Sequence, residues 1–227
     1  MKRQFFTFLI ITMIPIIQVW SQCDSVGHFN FVATAGVGVA HLRLNENESY
    51  DNGRSIVHMQ ISALADYTVF QNFFVESGLS FQHKGWKRNH TGYTDWEKNT
   101  YHLFYIQIPM TANYKIPIEK VWLTPQIGPY IGIAAGGNYT REGIETSIDS
   151  EINHYNFHEK LFSHYNRNKY RKFDCGLGIA VNVLWLNKFR AGMGYDIGFV
   201  NLRKKLNGQR IASKNGAFSI QFGYYIK

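Results

Sequence analysis

The sequence predicts an all-β chain: an eight-stranded antiparallel up-and-down transmembrane β-barrel. Three observations carry this expectation. Apolar residues alternate with small or polar ones at a period of two over eight runs, the spacing of strands with two unlike faces. The connections between the runs are alternately short and long. The chain of 227 residues is also poor in charge, at 18%, and rich in aromatics, at 16%, with 20 glycines. A soluble domain carries about 25% charged residues.

The N-terminal segment reads as an export signal. Lys2 and Arg3 are basic, Phe5 to Trp20 is apolar but broken by Pro15 and Gln18, and the small residues Val19 and Ser21 suit a cleavage site. Residues 1–21 are therefore expected to be a signal peptide and residues 22–227 the barrel domain. A membrane-anchor helix needs about 20 apolar residues, and this stretch is shorter. A lipoprotein with Cys23 lipidated is the other alternative, which Trp20 and Gln22 fit poorly. Cys23 and Cys175 are expected at opposite ends of the barrel, without a bridge between them, and no CxxC or Cys/His zinc spacing occurs.

The eight runs cover roughly 28–42, 55–68, 73–85, 101–115, 121–135, 172–185, 189–200 and 216–227. In the first, Phe29, Phe31, Val37 and Val39 oppose Asn30, Thr34, Gly36 and Gly38. In the fourth, Phe104, Ile106, Ile108 and Met110 oppose Tyr105, Gln107 and Thr111. Pro109, Pro125 and Pro129 fall inside runs, where a residue without an N–H predicts bulges or local distortion. The connections near 69–72, 116–120 and 186–188 are tight, whereas those near 43–54, 86–100, 136–171 and 201–215 are long and polar. This asymmetry predicts short periplasmic turns, long external loops and both termini on the periplasmic side.

A soluble lipocalin-like barrel alternates too, with its apolar face inward. The polar face separates the two cases. It is rich in Gly, Ser, Thr, Asn and Gln rather than Lys and Glu, which suits a narrow lumen better than a water-facing surface. Glu76, Lys84, Asp174, Arg190 and Asp196 are then expected to form a paired polar network in that lumen. On the apolar face, Tyr67, Phe73, Tyr114, Trp185, Phe189 and Tyr224 fall near the short turns. Phe81, Phe104, Phe173, Phe199 and Phe218 fall near the long loops, giving two aromatic girdles.

Several segments resemble the PorT-like outer-membrane β-barrel family. They are Val75–Gly85 (VESGLSFQHKG), Tyr105–Lys115 (YIQIPMTANYK), Pro125–Ile133 (PQIGPYIGI), Asp174–Val181 (DCGLGIAV), Gly192–Leu202 (GMGYDIGFVNL) and Phe218–Ile226 (FSIQFGYYI). The resemblance implies an eight-stranded barrel in the outer membrane of a Gram-negative bacterium. Its namesake works in a protein-secretion machine. It supplies no catalytic motif.

The remaining chemistry is sparse. His154, His158, Glu159 and His164 share one long loop, but the order is not HExxH. Ser147, Asp149 and His154 are a scatter, and a triad is recognised by geometry. Asn47, Asn89 and Asn138 match glycosylation acceptors by sequence alone. No enzyme activity, cofactor or metal site is read from the chain. The loops are basic, at Lys87 and Arg88, at Arg167, Lys169, Arg171 and Lys172, and at Arg203, Lys204, Lys205 and Arg210. Lys87, Arg88, Arg171, Arg203, Lys204 and Lys205 are expected to contact the phosphates of lipopolysaccharide, with an ordinary solvated surface as the alternative. The partners expected are outer-membrane lipid, including lipopolysaccharide, and other envelope proteins, with no nucleic acid. The function read is a structural or interaction role, accessory to secretion or surface assembly. A small-solute transport barrel and a soluble ligand-binding barrel stay open.

Overall fold

A period-two pattern leaves each strand with one apolar and one polar face, and closing the sheet puts all faces of one kind inside. A computed structural model describes residues 26–44, 53–91, 96–146, 152–162, 170–202 and 213–226. Its strands are β1 (Phe29–Leu44), β2 (Gly53–Thr68), β3 (Phe73–Thr91), β4 (Trp96–Tyr114), β5 (Ile116–Ile118), β6 (Val121–Thr146), β7 (Ile152–Lys160), β8 (Phe173–Trp185), β9 (Phe189–Gly198) and β10 (Ser213–Ile226). Eight of these close a ring in the order β1-β2-β3-β4-β6-β8-β9-β10, with every neighbour antiparallel.

The apolar face points outward. Ile61, Leu79, Ile133 and Phe222 are 68%, 59%, 62% and 67% exposed, while Glu76 and Lys84 on the opposite face are each 1% exposed. This is the reverse of a soluble barrel, so the lipocalin-like alternative is overturned. The aromatics near the short turns contact one another across strands, as in Phe29 with Tyr67 at 4.9 Å and Phe189 with Tyr224 at 5.5 Å between ring centroids. At the other end, Phe81 stacks on Phe104 at 6.1 Å. Placing a charge in the band between them should be costly. Ile127→Arg, midway along the wall, is expected to lower stability in lipid vesicles by roughly 2–4 kcal/mol. A urea titration showing no loss would argue against lipid contact at this face.

Two expectations need correction. The long connections near 86–100 and 136–171 are largely strand. β3 and β4 run as a hairpin to Thr91 and Trp96, and β6 continues to Thr146 with β7 paired along it from Thr146 with Ile152 to Asn138 with Lys160. Polar alternation beyond the membrane carries no apolar signal, so these extensions read as loop. The prolines, secondly, make no bulges. Pro109 pairs with Tyr130, Pro125 with Val181 and Pro129 with Leu177. The missing N–H interrupts the ladder locally while the register holds on either side. The actual irregularities lie at Phe104/Tyr105 on β4 and between Ser55 and Met59 on β2.

The short turns sit at one end. Leu186 and Asn187 both have φ of 51°, as a two-residue primed turn requires, and Lys188 N donates to Trp185 O at 3.1 Å. β5 pairs back on the start of β6 beside that end.

Candidate functional site

The lumen is built from the inward residues of all eight ring strands, and it is layered. Near the short turns, Val32, Leu64, Leu184 and Tyr225 pack with Trp122 into an apolar floor. Near the long hairpins, Leu42, Trp86, Tyr101, Leu103, Tyr105, Ala134, Leu161 and Leu202 form a plug. Trp86 stacks on Tyr101 at 4.5 Å, and Tyr139 packs tilted against Tyr101 at 4.8 Å. Leu161 and Leu202 follow the ends of β7 and β9 and fold back into the mouth, each 1% exposed. Leu161 N donates to Gly137 O at 2.9 Å and Leu202 N to Ser213 O at 2.8 Å, which fixes both lids.

Charge lies between these two apolar layers. On the floor side, Arg190 from β9 forms a buried ion pair with Glu76 from β3. Arg190 Nη2 also donates to Gln126 Oε1 at 2.8 Å, and Gln126 Nε2 donates to Glu76 Oε1 at 2.7 Å. The amides extend the network, with Asn182 Nδ2 donating to Gln126 Oε1 at 3.1 Å and Gln221 Nε2 to Asn182 Oδ1 at 2.9 Å. Tyr225 closes it by donating to Asp66 Oδ2 at 2.8 Å. On the plug side, Lys84 Nζ meets Asp196 Oδ2 at 2.9 Å and Gln107 Oε1 at 3.1 Å, and lies 4.8 Å over the Tyr130 ring. Asp174 is separate from that pair and accepts from Asn215 Nδ2 at 2.8 Å. The cavity left between the layers is about 80 Å³ and is lined by Gln60, Glu76, Gln107, Gln126 and Arg190 among others. That space suits a few waters rather than a solute.

Above the plug, β3, β4, β6 and β7 continue as a four-stranded sheet. Its inner face carries Arg141, paired with Glu97 at 2.6 Å, and Tyr139, which donates to Asn99. The hydrogen bond to Glu97 raises the Arg141 pKa further, and burial pushes the Tyr139 phenol up to about 12. Its outer face carries Lys87, His102 and His158.

The loop residues singled out by sequence are distributed over these faces. Lys87 and Arg88 are neighbours on a strand and so point to opposite faces. Arg171 is exposed, and its N–H donates to Leu202 O at 2.7 Å. His154 and His158 share one face of β7, but four residues of strand separate them by about 13 Å, too far for a shared metal ion. Glu159 lies on the other face. Among the described residues no cluster of three or more His, Cys, Asp or Glu could hold a metal. Cys175 is a free, half-buried thiol. The signal segment 1–21, Cys23, Asn47, Ser147, Asp149, His164, Arg167, Lys169, Arg203, Lys204, Lys205 and Arg210 lie outside the described residues. Sequence reading missed the plug, because Trp86, Leu161 and Leu202 sit in segments read as loops.

A closed ring with apolar residues outward and a charged, hydrogen-bonded interior is the geometry of a membrane barrel. The family profile described as outer membrane protein beta-barrel domain matches residues 20–204. The chain belongs to that family. As an outer membrane β-barrel protein, it is also similar to solved barrels. The attachment invasion locus protein Ail of Yersinia pestis is 10% identical, covering 89% of this chain and 100% of that one, with a TM-score of 0.37. Neisserial surface protein A is 12% identical over 86% and 96%, with a TM-score of 0.40. OprG of Pseudomonas aeruginosa is 9% identical over 90% and 98%, with a TM-score of 0.42. No curated protein matches the chain.

Proposed function

We propose that this outer membrane barrel is a closed anchor whose working part is the sheet raised above the membrane. Its role is structural or interactive, without catalysis. The observation that carries this reading is the double closure of the lumen. Among the described residues, an apolar floor and an aromatic plug bracket an ion-paired interior, an arrangement that argues against an open pore. A single-channel recording in a planar bilayer is expected to show no steady conductance. A resting pore in the wild-type protein would sink the reading in favour of small-solute transport. Trp86→Ala with Tyr101→Ala should give intermittent openings, because those two rings form the centre of the plug.

The resemblance to PorT-like barrels supports an accessory role in protein secretion or surface assembly. The same reading places the short turns and both mature termini in the periplasm, with residues 1–21 removed on export. The unequal ends of the barrel support that orientation. A thiol introduced by Asn156→Cys on β7 should react with a membrane-impermeant maleimide on intact cells; labelling only after lysis would reverse the orientation. A photo-crosslinker at Phe157, which is 51% exposed on the same strand, should capture an envelope protein rather than lipid alone.

A further inference from the structure

The outer wall has one step. β6 leaves β8 at the pair Ile133 with Phe173 and takes up β7 only at Asn138 with Lys160. Between them, Ala134 N is held by Lys172 O at 2.7 Å, and the register against β4 slips by one residue, making Ala135 the extra one. Below the step lies an outward groove of about 240 Å³ lined by Ile106, Ile108, Ile131, Ile133, Ala135 and Phe173. Its lining is almost wholly apolar, as a hydrocarbon chain would need.

A row of bases stands directly above that groove on the same outward face. Through the strand pairing, His102 lies beside Asn138, which lies beside Lys160, and one row higher Lys87, Thr100, Thr140 and His158 stand in line. His83 Nε2 is 2.9 Å from His102 Nδ1, and the ionisable groups acting on His102 are His83, Lys87 and His158, all basic. The nearest outward carboxylate, Glu142, is already engaged by Lys98 at 2.9 Å. Among the described residues no salt bridge involves Lys87 or Lys160. Neutral donors and acceptors, Asn138, Thr140 and Asn156, flank the bases. Two lysines with imidazole, amide and hydroxyl groups between them, above an apolar groove, are complementary to one ligand class.

The geometry points to a binding site for a phosphorylated acyl glycolipid of the outer leaflet, with its phosphate on His102, Lys87 and Lys160 and one acyl chain in the Ile106–Ile133–Phe173 groove. Placing this site in the outer leaflet rests on the orientation proposed above. The maleimide experiment tests that orientation independently, so a reversed barrel and a failed lipid site give different results.

The test uses the full chain, purified and folded, with binding followed by native mass spectrometry. The probes are bis-phosphorylated lipid A, its phosphate-free form and phosphatidylglycerol. Lipid A is expected to bind tightest. Lys87→Gln with His102→Gln and Lys160→Gln should weaken it roughly tenfold or more, since charge-assisted contacts to phosphate are lost. Ala135→Trp, which fills the groove without touching the bases, should weaken it several-fold. Retained heat-modifiability on a gel shows that each variant is folded. Undiminished lipid A binding by either folded variant overturns the site. Equal binding of phosphate-free lipid A removes the role of the bases, and phosphatidylglycerol binding as tightly as lipid A overturns the glycolipid assignment.

Discussion

Arg190→Leu is expected to destabilise the barrel by about 3–5 kcal/mol, the cost of leaving a buried partner charge unpaired. Glu76 is 1% exposed, and without Arg190 it would keep no cation beside it, only groups such as the Gln126 amide at 2.7 Å. Urea unfolding of vesicle-reconstituted protein, followed by tryptophan fluorescence, measures the loss. Removing both charges with Glu76→Leu and Arg190→Leu should recover most of it, because a buried pair often adds little over apolar groups of similar volume. The difference between the double variant and the sum of the singles isolates the pair. The matching change Lys84→Met should cost less, since Asp196 keeps 21% of its side chain in contact with water. An Arg190→Leu variant as stable as the wild type would show that the interior does not depend on this contact.

The wall of the barrel was legible in the sequence because its physics is local. Each strand meets lipid on one side and packed polar groups on the other, so residues such as Phe218, Ile220 and Phe222 alternate with Ser219 and Gln221. Strand ends inside the membrane followed within about two residues. Above the membrane that contrast disappears. The segment from Asn138 to Thr146 has water on its flank and polar residues on both faces, so β6 could not be told from loop until β7 was seen to pair with it.

The interior was only partly legible. Alternation puts five charges on the polar face but does not name their partners, because Glu76 and Arg190 are 114 residues apart and meet only when the ring closes. The plug was hidden for the same reason. Leu161 and Leu202 follow strands that end at different heights, and nothing in their local sequence says that both turn inward. The row of bases on the outer wall is also a product of register, with His83 and His102 brought together by a β3–β4 pairing that spans a long hairpin.

Glycine spacing gives the second large effect. Gly176 and Gly178 stand one residue apart on the lumen side of β8 and look equivalent in sequence. A Cβ at Gly176 would lie 2.1 Å from Ile197 O and 2.7 Å from two atoms of the Tyr130 ring. Backbone cannot yield as a flexible side chain does, and Tyr130 is itself held beneath Lys84. Moving that ring would disturb the Lys84–Asp196 pair. Gly176→Val is therefore expected to leave most of the chain unable to refold into vesicles, seen as loss of the fast-migrating unboiled band. At Gly178 the nearest atom is Asp196 Oδ1 at 3.3 Å, and at Gly132 nothing comes closer than 3.6 Å. Gly132→Ala should refold like the wild type, and Gly178→Ala should lose no more than about 1–3 kcal/mol, as for modest overpacking. If Gly176→Val refolds as well as these two, the close approach of β8 to β9 and Tyr130 does not limit folding, and the glycine is there only to keep the lumen open.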